Sequence, residues 1–433
     1  MSPVIIGIIG FAAVVGLIFL SVPVAFSMIV VGFVGFSVLN SVSSAMNMLC
    51  TEVFTSFTSY TMSVVPLFAF MGILAAYSGL GAKLFAMADK FVGHITAGLA
   101  VATQLACGIF GAICGSIPAT LATMGPVVYP EMKKKGYDDS FSTATIASGS
   151  NLAVMIPPST TFIIYGLAAE VSIGKLFIAG IFPGILEMLL FMIAGVIVVK
   201  MNPKLAPRQP KATWEERVRS LTHGGVLEIL IVFCISIGGI FIGWFTATEA
   251  GAVGAFCMLA VCAVRRNVSV KILMESLLSS TALAAMCFLL IASANVFTKF
   301  FAITGIPASV GRMVLEMNAP PWAVLFVIVF IYLIMGMLMD ALAMILLTIP
   351  IFYPVIIAIG YDPVWFGVLA VLVLSLGFLT PPIGLGAFIL HGSTKVPIYT
   401  IFKGVWPYVI ATLITVIIII FVPSVATFLP GLL

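Results

Sequence analysis

Two segments of the chain set small, hydroxyl-bearing and proline residues inside otherwise apolar runs. Gly115-Ser116-Ile117-Pro118-Ala119-Thr120 is followed by Ile156-Pro157-Pro158-Ser159-Thr160. Further on, Asp340 lies alone in an apolar run, followed by Thr380-Pro381-Pro382-Ile383-Gly384. A Pro-Pro pair splits a helix into two halves joined by an unwound link. A half-helix that ends in hydrocarbon presents bare carbonyls, which suit a small cation. One that begins there presents bare N–H groups and a positive dipole end, which suit a carboxylate. Such unpaired groups are costly at that depth and persist where they line a cavity and bind something. The first cation site is expected at Gly111, Ser116, Ser150, Asn151, Ala153, Ile156 and Pro158, and the second at Gly336, Asp340, Gly377, Thr380 and Ile383. The expected cradle for an acid comprises Ser116, Pro118, Ala119, Thr120, Ser159, Thr160, Asp340, Pro382 and Gly384. Taken alone, the Gly-Ser-Ile-Pro-Ala-Thr stretch also reads as a kinked span with small packing residues, and Asp340 as a group that folds its own turn. The paired breaks favour a site.

The elements that position these residues follow from composition. Only 8% of the 433 residues are charged and 62% are hydrophobic, against about 25% charged in an ordinary soluble domain. Mean hydropathy is +1.28. So few charges cannot cover a water-facing surface, which excludes a soluble enzyme, a nucleic-acid binder and a disordered chain. An all-α polytopic protein of the lipid bilayer is expected.

The two site segments are copies of one another. Tyr129-Pro130, Gly136-Tyr137-Asp138 and Pro157-Pro158 recur as Tyr353-Pro354, Gly360-Tyr361-Asp362 and Pro381-Pro382, each 224 positions on. The same shift carries Pro126 to Pro350, Gly180 to Gly404 and Pro183 to Pro407. An ungapped series of this kind marks an internal duplication, with residues 1–199 as first repeat, 200–225 as connector and 226–433 as second repeat. Apolar runs at 4–20, 23–39, 61–80, 98–131, 140–170 and 176–199 are matched by 226–245, 247–264, 276–296, 322–356, 363–392 and 398–422. A crossing takes about 20 residues. The fourth run of each half is too long for one crossing and too short for two, and reads as a re-entrant helical hairpin. The fifth, split by Pro-Pro, reads as a broken helix. Five crossings plus a hairpin per half is an odd number, so the repeats should be inverted. The charges agree: Lys133, Lys134 and Lys135 have neutral mates at Ile357, Ala358 and Ile359, while Arg265, Arg266 and Lys271 have neutral mates at Ser41, Val42 and Asn47. The basic connector and Lys395 then lie on the cytoplasmic side.

Other chemistry is thin. The seven cysteines include no CxxC pair and read as small buried hydrophobes. The three histidines are scattered, so no metal other than the coupling cation is expected. No His-Glu-x-x-His, Gly-x-Ser-x-Gly or phosphate-loop pattern occurs, so the chain is not expected to be an enzyme or to hydrolyse ATP. Glu249 reads as a helix cap. Glu187, inside a span, could pair with a neighbouring helix or another subunit.

With these residues in place the chain resembles the large membrane subunit of tripartite ATP-independent periplasmic (TRAP) transporters. The resemblance rests on Gly115 to Thr120, on Pro130-Glu131-Met132-Lys133-Lys134-Lys135-Gly136-Tyr137 and on Ile156-Pro157-Pro158-Ser159. Ile173-Gly174-Lys175-Leu176-Phe177, Thr380-Pro381-Pro382-Ile383-Gly384 and Gly404-Val405-Trp406-Pro407 extend it over nearly the whole sequence. One departure is Ala247, where the family usually has proline. The resemblance implies two inverted repeats arranged as an elevator, with a scaffold and a moving core. It implies import of an organic acid of the C4-dicarboxylate, keto acid or sialic acid type, with Na+ as coupling ion and no other cofactor. It implies two partners, a separate small four-helix membrane subunit and a periplasmic substrate-binding protein. It places the chain in the bacterial inner membrane with both termini periplasmic. A stand-alone sodium/carboxylate symporter and a passive anion channel are the alternatives.

Overall fold

The computed structural model describes residues 2–223, 226–316, 319–382 and 384–432, which form helices and turns without a strand. The first repeat runs α1 (Pro3–Phe19), α2 (Val24–Leu39), α3 (Val42–Thr58), α4 (Val64–Tyr77), α5 (Leu80–Val92), α6 (Gly98–Cys114), α7 (Ile117–Lys134), α8 (Asp139–Met155), α9 (Thr160–Ala168) and α10 (Ile173–Met201). After the connector helix α11 (Trp214–His223) the second runs α12 (Val226–Phe241), α13 (Ala247–Val264), α14 (Val270–Ile303), α15 (Ile306–Glu316), α16 (Pro321–Leu338), α17 (Ala341–Ala358), α18 (Pro363–Leu379), α19 (Leu385–Thr394), α20 (Ile398–Phe421) and α21 (Ser424–Thr427). Seven of these helices are long and apolar enough to cross a membrane, nine if two bent pairs each count as one. The chain is a polytopic membrane protein.

The repeated Gly-Tyr-Asp has a mechanical reason. Gly136 and Gly360 take left-handed φ values of 80° and 84°, which glycine adopts without steric cost and which end α7 and α17. The next N–H then turns back: Tyr137 N donates to the Met132 carbonyl at 3.0 Å and Tyr361 N to that of Ile356 at 3.2 Å. The aspartate opens the next helix, with Asp138 Oδ1 accepting from Ser140 N (2.9 Å) and Asp362 Oδ1 from Trp365 N (2.8 Å). The expected cap at Glu249 is a full capping box, Thr246 N donating to Glu249 Oε2 at 2.8 Å and Glu249 N to Thr246 Oγ1 at 3.3 Å.

The fourth run of each half resolves into two helices joined by a two-residue link, α6–α7 at Gly115-Ser116 and α16–α17 at Met339-Asp340. The fifth resolves into α8–α9, bent by 41°, and α18–α19. Helices α1 to α4 pack with α12 to α14 as one group. The hairpins and broken helices pack with α10 and α20 as another. The broken helices run in opposite directions, because Tyr165 near the end of α9 donates its hydroxyl to the Pro363 carbonyl at the start of α18 (2.7 Å). Where α8 crosses α18, Asn151 Nδ2 donates to the carbonyl of Ser375 at 2.7 Å, its own mate 224 residues on. The local two-fold axis therefore passes between them.

Several expectations need correction. Helix α3 falls between the apolar runs 23–39 and 61–80, where no span was expected, and α14 is one helix of 34 residues where the run suggested 276–296. Cys50 and Cys234 are exposed and Cys257 is half-buried, whereas Cys107, Cys114, Cys262 and Cys287 are buried as expected. The basic loops do gather on one side. The connector reaches the α7–α8 turn through Asp138 N to the Leu205 carbonyl (2.9 Å), and Lys135 pairs with Asp89 at 2.8 Å.

Candidate ion and substrate site

The first hairpin tip plugs the first break. Gly115 has a left-handed φ of 63°, and a Cβ there would sit 2.5 Å from the Pro158 carbonyl oxygen. Its own carbonyl accepts from Thr160 N at 3.1 Å and Thr160 Oγ1 at 2.8 Å. One turn back, a Cβ on Gly111 would lie 2.6 Å from Ala153 Cα. The second half repeats this main-chain contact, for a Cβ on Gly377 would meet the Gly336 carbonyl carbon at 2.5 Å. Small residues at these four positions let backbone lie on backbone beside each break. Both Pro-Pro bonds are cis. Pro157 and Pro158 have no N–H, so the carbonyls of Ala153 and Val154 lose their helical donors; Pro381 and Pro382 do the same to Gly377 and Phe378, although the Gly377 carbonyl accepts instead from Thr380 N at 3.2 Å. Ile156 ends α8, its N–H bonded to the Leu152 carbonyl at 2.8 Å.

The polar side chains divide into engaged and free. Ser150 Oγ donates to the Ile146 carbonyl at 2.8 Å and Thr380 Oγ1 to that of Leu376 at 2.6 Å. Ser159 caps α9, accepting from Phe162 N at 3.2 Å. Asp340 caps α17, with Oδ2 accepting from Leu342 N at 3.0 Å, so it serves the tip's own folding as well as facing outward. Asn151 Oδ1 and Thr120 Oγ1 are buried without a hydrogen-bond partner. Asn151 thus holds the axis with its nitrogen, while its oxygen, two residues before the first of the freed carbonyls in sequence, is left without a partner.

A cavity of about 830 Å³ unites the two halves. Ser116, Pro118, Ala119, Val154, Thr160 and Thr161 line it from the first repeat, and Asp340 to Ala343 with Phe378 from the second. The starts of α7, α9 and α17 therefore meet there. Residues from Pro23 to Phe26 and from Leu283 to Leu290, on α2 and α14, close the far wall. Asp340 is the one ionisable group among the described residues lining it. Of the expected acid cradle, Ser116, Pro118, Ala119, Thr160 and Asp340 come together, while Thr120 and Ser159 are buried just behind. Pro382 and Gly384 do not line the cavity: Gly384 turns away under the Phe402 ring, 2.8 Å from where its Cβ would be. Ile383 lies outside the described residues. The far wall at Phe26, Met286 and Leu289 was missed, since apolar residues facing a cavity carry no spacing signal distinct from those facing lipid. No group of three or more His, Cys, Asp or Glu that could hold a metal occurs among the described residues.

Comparison with known proteins accords with this geometry. Residues 11–425 match the family model described as "Tripartite ATP-independent periplasmic transporter, DctM component". The chain is 34% identical to a C4-dicarboxylate TRAP transporter large permease protein of Pseudomonas aeruginosa, over 88% of this chain and 89% of that one. It is 33% identical to an ectoine TRAP transporter large permease protein of Halomonas elongata, over 97% and 98%. Its fold resembles the crystal structure of the YdaH transporter of Alcanivorax borkumensis, with a TM-score of 0.64 at 14% identity, covering 90% of this chain and 88% of that one. The chain belongs to the DctM family, as a large membrane permease component of the tripartite ATP-independent periplasmic transporters.

Proposed function

We propose that the chain is the translocation subunit for sodium-coupled import of an organic acid. One observation carries the reading: Ser116 and Asp340, mates under the 224-residue shift, line a single cavity into which three helix starts point. Helix N-termini favour a carboxylate, and the carbonyls freed at each break, with Asn151 Oδ1, favour a small cation without a charged cage. Sodium fits such a neutral, oxygen-only set. Relatives named for a C4-dicarboxylate and for ectoine support an acid-bearing solute and leave its identity to the binding protein.

The apolar scaffold wall across from the tips suits an elevator, because a core can slide along a surface that makes few hydrogen bonds. The same reading includes a separate small membrane subunit and a periplasmic binding protein as partners. It places the chain in the bacterial inner membrane, with the Lys133–Lys135 side cytoplasmic and both termini periplasmic. In proteoliposomes with both partners, uptake should require an inward sodium gradient and the loaded binding protein. Uptake that is unchanged when choline replaces sodium would sink the coupling. Uptake by this chain alone would favour a stand-alone symporter, and flux without saturation a channel.

A further inference from the structure

Glu187 lies on α10, away from the cavity, with none of its surface exposed. Thr412 Oγ1 on α20 is 3.1 Å from Glu187 Oε1, and Glu187 Oε2 is buried with no hydrogen-bond partner. None of the salt bridges among the described residues includes it. Of the titratable groups on helices packed against α10, Tyr408 of α20 is nearest in register, and its hydroxyl is engaged by Thr145 Oγ1 at 2.7 Å. Asp139 of α8, Cys107 and Cys114 of α6, Tyr165 of α9, and Glu228 and Cys234 of α12 make no bond to it, and Lys403 lies more than two turns from Thr412 on α20.

Hydrogen-bond arithmetic then decides between two states. Thr412 has one hydroxyl hydrogen and two acceptors in reach, Glu187 Oε1 at 3.1 Å and the Tyr408 carbonyl at 3.2 Å. An ionised carboxylate would compete with that carbonyl for one hydrogen. A carboxylic acid instead donates to Thr412 Oγ1, and Thr412 donates onward to Tyr408, so each hydrogen finds one acceptor. A lone carboxylate at this depth is also heavily penalised by desolvation. We infer that Glu187 is a proton-binding site of the core, separate from the two breaks, which takes up one H+ to become a neutral carboxylic acid. Its neighbours tie it to the moving parts. One turn earlier, a Cβ on Gly184 would lie 2.7 Å from the Ile156 side chain at the first break, and Met188 Sδ lies 3.0 Å from where a Cβ on Gly108 of α6 would be. Releasing the proton would place a charge inside this stack and loosen it.

Infrared spectroscopy of the full chain in lipid, with Glu187→Gln as the reference, reads the group directly. The wild-type minus variant spectrum should contain a protonated-carboxyl C=O band that shifts in deuterium oxide, and Thr412→Val should move that band. A carboxylate band pair instead, or a carboxylate band that responds to sodium rather than to pH, would overturn the assignment. Because this readout needs no transport, its failure would leave the sodium and acid reading of the breaks untouched.

Discussion

The two repeats share a backbone and differ in side-chain chemistry. In the first, α8 carries Ser142, Thr145, Ser148, Ser150 and Asn151 on the way to its break. Their mates in α18 are Phe366, Leu369, Leu372, Leu374 and Ser375. Gln104 of α6 joins the polar seam, donating to Ser148 Oγ at 2.9 Å. At the tips the bias reverses, with neutral Ser116 in the first and Asp340 in the second. The group formed by α1 to α4 and α12 to α14 diverges too: α3 and α4 are separated by a 3-10 turn at Tyr60–Ser63, while α14 runs unbroken. What survived duplication is main-chain geometry: the glycine turn, the aspartate cap, the Pro-Pro break and the close glycine contact. Side chains were free to specialise, which leaves the first break approached by a helix richer in polar side chains and the second beside a tip that carries one acid.

Variants can break this comparison or sharpen it. The largest effect is expected at the shared backbone contacts. Gly115→Ala combines a left-handed φ with a 2.5 Å clash and should cost about 3 kcal/mol. Gly377→Ala meets only the clash and should cost about 2 kcal/mol. Thermal melting and uptake should fall in both, most in the first; an unaffected Gly115→Ala would mean the tip is not seated in the break. Next come the tips. Asp340→Ala loses a cap, about 1 kcal/mol, whereas Asp340→Asn keeps one and should still lower uptake about tenfold through the lost charge. Ser116→Ala should act in the same direction but less, with expression of both tip variants preserved. Equal losses of uptake and expression would assign the tips to folding alone.

Asn151→Ala removes the bond across the axis, about 1 kcal/mol, and should raise the sodium concentration needed for half-maximal uptake. Ser375→Ala keeps its backbone carbonyl, loses only the Oγ bond to the Leu372 carbonyl, about 1 kcal/mol, and should leave the sodium concentration for half-maximal uptake unchanged. Similar sodium shifts in both would erase the distinction between side-chain and main-chain ligands. The smallest effect is expected at the connector, outside either repeat. The Thr213 N–H, and after it the Lys90 ammonium, hold the Glu216 carboxyl below its ordinary range. A folded-state value below the unfolded one adds stability above about pH 4.3 that is lost as pH falls through the folded value. Glu216→Gln should flatten that acid limb slightly in a pH series of melts and leave transport unchanged.

Much of this architecture was legible because its punctuation is chemical. Gly136, Asp138 and the two Pro-Pro pairs dictate turns, caps and breaks through their own backbones, so they announce themselves at any burial. Inversion was legible from where Lys133 to Lys135 fall. Helix α3 was not, because its serines, threonines, Asn47 and Glu52 weaken the apolar signal. Contacts with α2 and α14 supply what its sequence lacks, among them the Asn295 Nδ2 to Ser56 Oγ bond at 3.1 Å. At the candidate site, Ser116, Pro118, Ala119, Thr160 and Asp340 could be grouped from sequence because they sit at turns and helix starts written in backbone chemistry. Missed were Phe378, Thr161 and the far wall, whose roles come from which helix faces the cavity. The failure of Pro382 and Gly384 to join it has the same cause, since the turn of Gly384 toward Phe402 depends on a neighbouring helix.

The most direct test is chemical cross-linking of the full chain in membranes, with native cysteines replaced and the pair Ser116→Cys and Asp340→Cys introduced. A short bis-maleimide should join the two positions within one polypeptide, and sodium together with the transported acid should slow the reaction. Independent labelling of the two cysteines without a cross-link, at any reagent length shorter than the cavity, would contradict a shared site.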